Sequence, residues 1–432
     1  MLRKTSSALL AGLLLLFPLI AQADELNGSN TAWILTSTAL VLFMTLPGLA
    51  LFYGGLVRSK NVLSILIQCF AIAGIVTILW LLVGYSIAFD KGNPYFGGFG
   101  KVLFNGVTEG ALFGDIPESL FALFQMTFAI ITPALIIGGF AERTRFSAVL
   151  LFSALWLILV YAPVTHWVWG GGWLQKMGLL DFAGGTVVHI TAGVAALVAA
   201  IVIGPRKQFG KSATTPHNMT MTLTGAGMLW VGWFGFNGGS ALAANGDAAM
   251  AMLVTHISAA TGAITWMFYE WIKFGKPTAL GTVTGMVAGL GTITPASGFV
   301  GPAGALVIGF IAGIVCFNAV IIIKQKWKID DSLDVFPVHG VGGIIGTLMA
   351  AVFASTELGI FSGQGFAKDS ITSIGQQLGV QAIGVTATFI YTAIVTFILF
   401  KLVGAITGLR VAPDEETQGI DIIDHEERGY DL

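Results

Sequence analysis

The chain holds 432 residues, of which 55% are hydrophobic and 10% charged. Soluble domains carry about 25% charged residues, so an ordinary water-soluble fold is excluded, and disorder, which needs low hydrophobicity and high charge, is excluded with it. A formal net charge of −2 leaves no basic excess for nucleic acid, and Cys69 and Cys316, both inside apolar runs, imply no disulfide framework.

Taken from the start, Arg3 and Lys4 precede an apolar stretch from Ala8 to Ile20, followed by Ala21-Gln22-Ala23 and Asp24. This is the pattern of a secretory signal peptide, 1–23, cleaved after Ala23. Its apolar core of about 13 residues is short for a membrane span, which needs about 20. Apolar runs then fill the chain. Spans are expected near 33–57, 62–89, 118–141, 146–163, 184–203, 218–236, 250–272, 279–296, 301–323, 337–354 and 379–408, eleven in all. The eighth is the weakest, being rich in Gly and Thr. The last is long enough to tilt or bend. With the mature N-terminus outside, the inner segments hold fourteen Lys and Arg and the outer loops four (Lys91, Lys101, Lys176, Lys368). That positive-inside bias sets residues 24–410 as one membrane domain and 411–432 as a cytoplasmic tail. The tail is acidic (Asp414-Glu415-Glu416), and it is either solvated or docked on the cytoplasmic face.

The fold class expected is an all-α polytopic membrane protein with an internal repeat. Leu51-Phe52-Tyr53-Gly54-Gly55 echoes Phe234-Gly235-Phe236-Asn237-Gly238-Gly239, and Asp181 and His189 are eight apart, as are Asp331 and His339, 150 positions later. Five spans per copy is an odd number, so the second copy enters the membrane upside down. The repeats cover about 33–203 and 218–354, with a C-terminal helix added. Inverted repeats are a transporter architecture with the site where the halves meet. Eight helical residues rise about 12 Å. If each Asp marks one surface of a core of about 30 Å, both histidines come near the midplane. Ionisable side chains at that depth are costly and mark pathways, against a purely structural pair of hydrogen-bonded rings.

Other polar positions carry weaker signals. His256, in the seventh span, reads as structural or interfacial, His166 as an organiser of the outer loop beside Trp167 and Trp169, and His217 as a cap or loop residue. Phe124 and Phe128 share a helix face. Phe128, Trp169, Phe236 and Ser240 offer an aromatic wall and a hydroxyl able to hold a small cation, although spacing alone does not make these helices neighbours. Asp181 reads as an N-cap whose charge also favours a nearby cation. The central histidines have no Cys or carboxylate partner at ligand spacing, which disfavours a metal. No nucleophile elbow, phosphate loop or metalloprotease helix occurs, so no enzyme and no cofactor are implied.

Longer motifs resemble one family. The stretch from Asp181 to His189 (DFAGGTVVH), that from Gly232 to Ser240 (GWFGFNGGS), Asp334-Val335-Phe336-Pro337-Val338-His339-Gly340 and Ala141-Glu142-Arg143 with Arg145-Phe146-Ser147 are similar to signatures of the ammonium transporter family (Amt/Mep/Rh), from about Trp33 to the tail. The bacterial branch is the nearest likeness, with Met126-Thr127 and Pro337 as departures from its pattern. The resemblance implies an outer recruitment site at Phe128, Trp169 and Ser240 supported by Asp181, a phenyl gate of Phe128 and Phe236, and a pore lined by His189 and His339. It implies a homotrimer in the lipid of a bacterial inner membrane, regulated at its cytoplasmic face by PII signal proteins. A bare cation is costly in an apolar conduit, so the expected course is capture of ammonium, deprotonation near the gate, and separate passage of ammonia and proton. The alternatives are a passive gas channel, a membrane-embedded ammonium sensor, and a generic ion channel. No carbonyl-rich filter sequence favours the last.

Overall fold

The computed structural model describes residues 25–211 and 215–431; the expected signal peptide lies outside the described residues. A chain this apolar must satisfy its backbone polar groups internally, and helices do so within single segments. Nine helices among the described residues are long and apolar enough to cross a membrane. They are α1 (Gly28–Leu56), α2 (Ser59–Phe89), α3 (Glu118–Phe140), α4 (Phe146–Met177), α5 (Gly185–Ile203), α7 (Gly246–Phe274), α9 (Pro302–Lys326), α10 (Phe336–Phe353) and α11 (Ile374–Thr407). Two shorter apolar helices pack among them, α6 (Met219–Trp233), continued by a wide turn at Phe234–Gly238, and α8 (Ala279–Ile293). A small antiparallel hairpin, β1 (Leu112–Phe113) with β2 (Ile116–Pro117), precedes α3.

Local chemistry sets the helix ends. The side chains of Asn27, Asn218, Asn245, Thr278 and Ser373 accept backbone N–H groups at the starts of α1, α6, α7, α8 and α11, as N-caps do. These caps explain why several helices outrun the hydropathy windows. α11 begins at Ile374 rather than 379 because its first turns carry Gln377 and Gln381. Both are buried and bonded to the carbonyls of Gly178, Leu180 and Thr347. α4 runs on past 163 because Thr165 and His166 are buried inside the protein.

The core sits on α3, whose apolar window is 94% buried, against 28% for α11 at the periphery. Small residues allow close helix contact. A Cβ at Gly262 would meet the backbone of Gly285 and Gly289, and Ser258 donates to Gly289 O (2.8 Å). Glycine lets membrane helices approach closely in this way.

The tail is docked. It forms two short helices, α12 (Pro413–Gln418) and α13 (Ile420–His425). Asp421 accepts from Leu63 N and Ser64 N at the start of α2 (3.0 and 2.7 Å). Glu416 takes Lys207 N and the Arg410 guanidinium, and Asp424 takes Phe146 N. Of the two expectations for the tail, docking is the one the structure realises.

Candidate functional site

α5 and α10 both open with a wide π-helical turn, Gly185–Ile190 and Phe336–Gly340, and each turn carries a histidine. Such turns recur at functional sites. The two helices cross at glycine. A Cβ at Gly193 would strike the Gly340 backbone, and one at Gly343 would meet His189. That closeness brings His189 Nδ1 to 3.2 Å from His339 Nδ1, with the rings nearly parallel at 15°. Both rings are buried. Two neutral imidazoles sharing one Nδ1 hydrogen bond must be opposite tautomers, so the pair presents one N–H and one lone pair at its two Nε2 atoms.

Above the pair lies an aromatic stack. Trp233 lies flat on His189 (5.5 Å, 16°) and Phe236 tilts over it at 6.2 Å. Phe236 in turn stacks on Phe128 (4.1 Å, 27°), both fully buried. Phe128 meets the edge-on Trp169 at 6.0 Å and Phe124 at 5.0 Å. Ser240 donates to Phe236 O (2.8 Å). Thus Phe128, Trp169, Phe236, Ser240, His189 and His339, scattered over five helices, line one column.

Asp181 holds the top of this column in place. Its two oxygens accept from Gly184, Gly185, Thr186 and Val187 N–H groups (2.7–3.2 Å), while its carbonyl accepts from Trp169 Nε1 (2.8 Å). The carboxylate is therefore an N-cap, and its backbone fixes the tryptophan. Asp181 and Asp331 are themselves buried, at 5% and 0% exposure; neither marks a water-facing surface.

The space beside the histidines is narrow. A cavity of about 10 Å³ is lined by Leu49, Ile131, Leu135, Val188, Trp233, Phe236 and both histidines, room for about one water-sized molecule among apolar walls. His339 also lines a second cavity of about 120 Å³, with Tyr53, Leu56, Ser332, Asp334 and Lys324. His339 so stands between the two.

Sequence reasoning missed Trp233, whose ring lies nearly parallel to that of His189. Its signal is the i, i+3 spacing to Phe236, which puts both rings on one helix face. Of the other histidines, His256 lies outside the column on the molecular surface, against Trp230 and Phe234. His166 faces the carbonyls of Ala88 and Asn93, and His217 those of Val57 and the Tyr430 hydroxyl.

The tail-bearing face is built differently. Arg206 bridges Glu142 (2.6 Å) and Asp330 (2.8 Å), and Arg58 pairs with Glu142 (2.8 Å). Burial alone would raise both carboxyls, but the guanidiniums outweigh it and hold Glu142 and Asp330 below the usual carboxylate range. Arg143 is fully buried and spends its donors on Gly204, Ala141, Gly139 and Asp330 carbonyls and the Ser332 hydroxyl.

A polytopic helical membrane protein with a narrow, apolar, histidine-lined column through its core is the form of a transporter for a small solute. Residues 32–430 match the Ammonium Transporter Family. The chain is 48% identical over 394 residues to an ammonium transporter of Bacillus subtilis, covering 91% of this chain and 96% of the relative. It is 46% identical over 426 residues to one of Aquifex aeolicus, covering 97% and 98%. Among solved structures, Saccharomyces cerevisiae Mep2 is similar at TM-score 0.81 and 36% identity, covering 90% of this chain and 91% of that one. A sensor Amt protein is similar at TM-score 0.85 and 32% identity, covering 92% and 98%. The chain belongs to the ammonium transporter family, whose members are multi-pass membrane transporters.

Proposed function

We propose that the protein captures ammonium at an outer site, strips its proton near the gate, and conducts ammonia through the histidine-lined column while the proton crosses separately. The observation that carries this reading is the column itself. A small cation is held by aromatic faces and a hydroxyl at Phe128, Trp169 and Ser240, with the Asp181 charge beneath them. The Phe128–Phe236 stack then closes the way with rings that offer no replacement for a hydration shell. Passing a bare cation through that stack is far more costly than passing a neutral molecule. Below it, the His189–His339 pair offers one donor and one acceptor to ammonia, and a protonic path through its shared hydrogen bond.

In this reading all eleven helices span the membrane as two inverted five-helix repeats, about 33–203 and 218–354, plus the last helix, near 379–408. Residues 1–23 are a cleaved signal, 24–410 the membrane domain, and 411–432 a cytoplasmic tail. The trimeric assembly and PII docking on the tail-bearing face are part of the same proposal and rest on family likeness. The likeness to a sensor Amt protein supports a second reading, in which ammonium binding signals through the docked tail.

Ammonium-evoked current from reconstituted protein on solid-supported membranes tests the first reading. His189→Ala with His339→Ala is expected to lower that current at least tenfold or change its selectivity. Unchanged current and selectivity would reject the histidine role. Growth rescue of an uptake-deficient strain at acidic pH, where free ammonia is scarce, separates a transporter from a sensor.

A further inference from the structure

α8 ends inside the protein. It stops at Ile293, and Thr294, Pro295, Ala296 and Ser297, which follow it, are all buried. Inside a bilayer, non-helical backbone is tolerated only where protein or a cavity surrounds it. Here the turn is packed against the column. Phe182 N, next to Asp181, donates to Pro295 O (3.0 Å). A Cβ at Gly185 would strike the Pro295 ring, and one at Gly346 of α10 would strike Thr292 O. Trp233 Nε1 donates to Thr294 Oγ1 (2.9 Å), and the Thr294 hydroxyl donates in turn to Leu290 O (2.7 Å).

With its own proton committed to Leu290 O, Thr294 Oγ1 faces the indole as an acceptor. Thr294 and Trp233 are 0% and 1% exposed. An indole N–H that lost this acceptor would be buried and unpaired, which is costly. The bond therefore holds the indole in its plane, as partners of buried tryptophans do.

Trp233 begins a pile of three nearly parallel rings. It lies on His189 at 5.5 Å and 16°, and His189 lies against His339 at 5.2 Å and 15°. Functional imidazoles are commonly oriented by a hydrogen bond at their second nitrogen. His189 lacks one. Its Nδ1 meets His339 Nδ1 at 3.2 Å, and its Nε2 is buried with no hydrogen-bond partner among the described residues. In the proposed function that nitrogen has to stay free for ammonia. The last side-chain torsion of a histidine has broad minima, so packing on the ring faces has to set it. Phe236, tilted by 35° at 6.2 Å, gives little support. α8 itself gives no more: a Cβ built at Gly291 would still lie 3.9 Å from either imidazole.

We propose that Thr294 is a positioning residue for the histidine pair. It lines neither cavity beside the histidines. By accepting the indole N–H it holds Trp233 flat against His189, and the indole face sets the torsion at which His189 Nδ1 reaches His339 Nδ1. This role rests on the reading of His189 and His339 as the polar element of the column and deepens it.

The test uses full-length protein in proteoliposomes, with two readouts. One is ammonium-evoked current. The other is solid-state NMR of protein with isotopically labelled histidine nitrogens, the paired Nδ1 signals being those that vanish in His189→Ala and His339→Ala. Thr294→Val keeps the shape and removes the acceptor. It should shift the paired signals and lower the current about tenfold, the scale of loss that misplacing a functional group brings. Thr294→Ser keeps the acceptor and should leave both readouts near wild type. Trp233→Phe removes the N–H. Added to it, Thr294→Val should have no further effect, because residues that act through one contact are not additive. Wild-type signals in well-folded Thr294→Val would overturn the role. So would a Thr294→Ser variant as impaired as Thr294→Val, or losses of current that add in the double variant. If Thr294→Val does not fold, Trp233→Phe decides: shifted paired signals support the role and unchanged signals overturn it. Shifted signals with unchanged current in Thr294→Val would uphold the positioning and sink the histidine reading of transport, so the two failures are told apart.

Discussion

The histidine column and the tail-bearing face answer the same problem, buried polar groups, in opposite ways. In the column, two imidazoles share one hydrogen bond and are otherwise enclosed by Trp233, Phe236 and aliphatic walls. On the tail side, Arg58, Glu142, Arg206 and Asp330 form a line of ion pairs, Asn61 ties the tail to it, and Glu416 holds the tail to Lys207 N and Arg410. One region avoids full charge, as the proposed passage of a neutral solute requires. The other uses full charge to fix loops that hydropathy alone would leave loose. Removing one partner should therefore damage folding on the tail side and transport in the column.

The largest expected effect tests the first half of that contrast. Arg206 is buried against two carboxylates, and breaking such a pair costs about 3–5 kcal/mol because an uncompensated charge remains. Arg206→Met should lower the detergent-solubilised unfolding temperature sharply, and replacing Glu142 and Asp330 by Gln and Asn in the same chain should recover part of the loss. No loss in the single variant would break the comparison. Next is Trp169→Ala. A desolvated cation–π contact is worth about 2 kcal/mol, so ammonium at half-maximal current should rise roughly thirtyfold with stability little changed. Smaller again is Tyr430→Phe. It deletes the donor to His217 Nε2 (3.0 Å), a bond worth about 1 kcal/mol. Limited proteolysis of the tail should quicken, while the core melts as before.

Much of the column was legible before any coordinates. The 150-residue offset of Asp181/His189 and Asp331/His339 singled out two rings that the structure brings to 3.2 Å of one another. The aromatic wall was legible as composition but not as a constellation. Phe128, Trp169 and Phe236 come from three helices, and only packing makes them neighbours. Hydropathy misjudged helix ends where polar residues were buried inside, as at Gln377, Gln381 and His166. It also treated Asp181 and Asp331 as surface markers, because a sequence does not show that one carboxylate is wrapped in four N–H groups and the other is wholly buried on a single one. The ion-pair chain on the tail side gave no sequence signal beyond positive-inside arginines, since its acids lie 188 positions apart (Glu142 and Asp330).

The smallest effect expected is the acid response of that ion-pair chain in the neutral range. Glu142 and Asp330 are held below the usual carboxylate range by Arg206 and, for Glu142, Arg58. A depressed folded-state value means the folded protein binds fewer protons than the unfolded one. The stabilisation is then fully present above the unfolded value of about 4 and is lost as pH falls through the lower folded value. Between pH 8 and 5 the network should contribute a constant stability, and loosening of the tail-bearing face should begin only below about pH 4. Hydrogen exchange at the α3–α4 turn and the tail, followed from pH 8 downward and corrected for intrinsic rates, measures this directly. Protection gained as pH falls from 7 to 5 would show that a group with a raised folded-state value governs that face instead, and Asp331, whose carboxyl burial pushes up to about 7, would be the first to substitute.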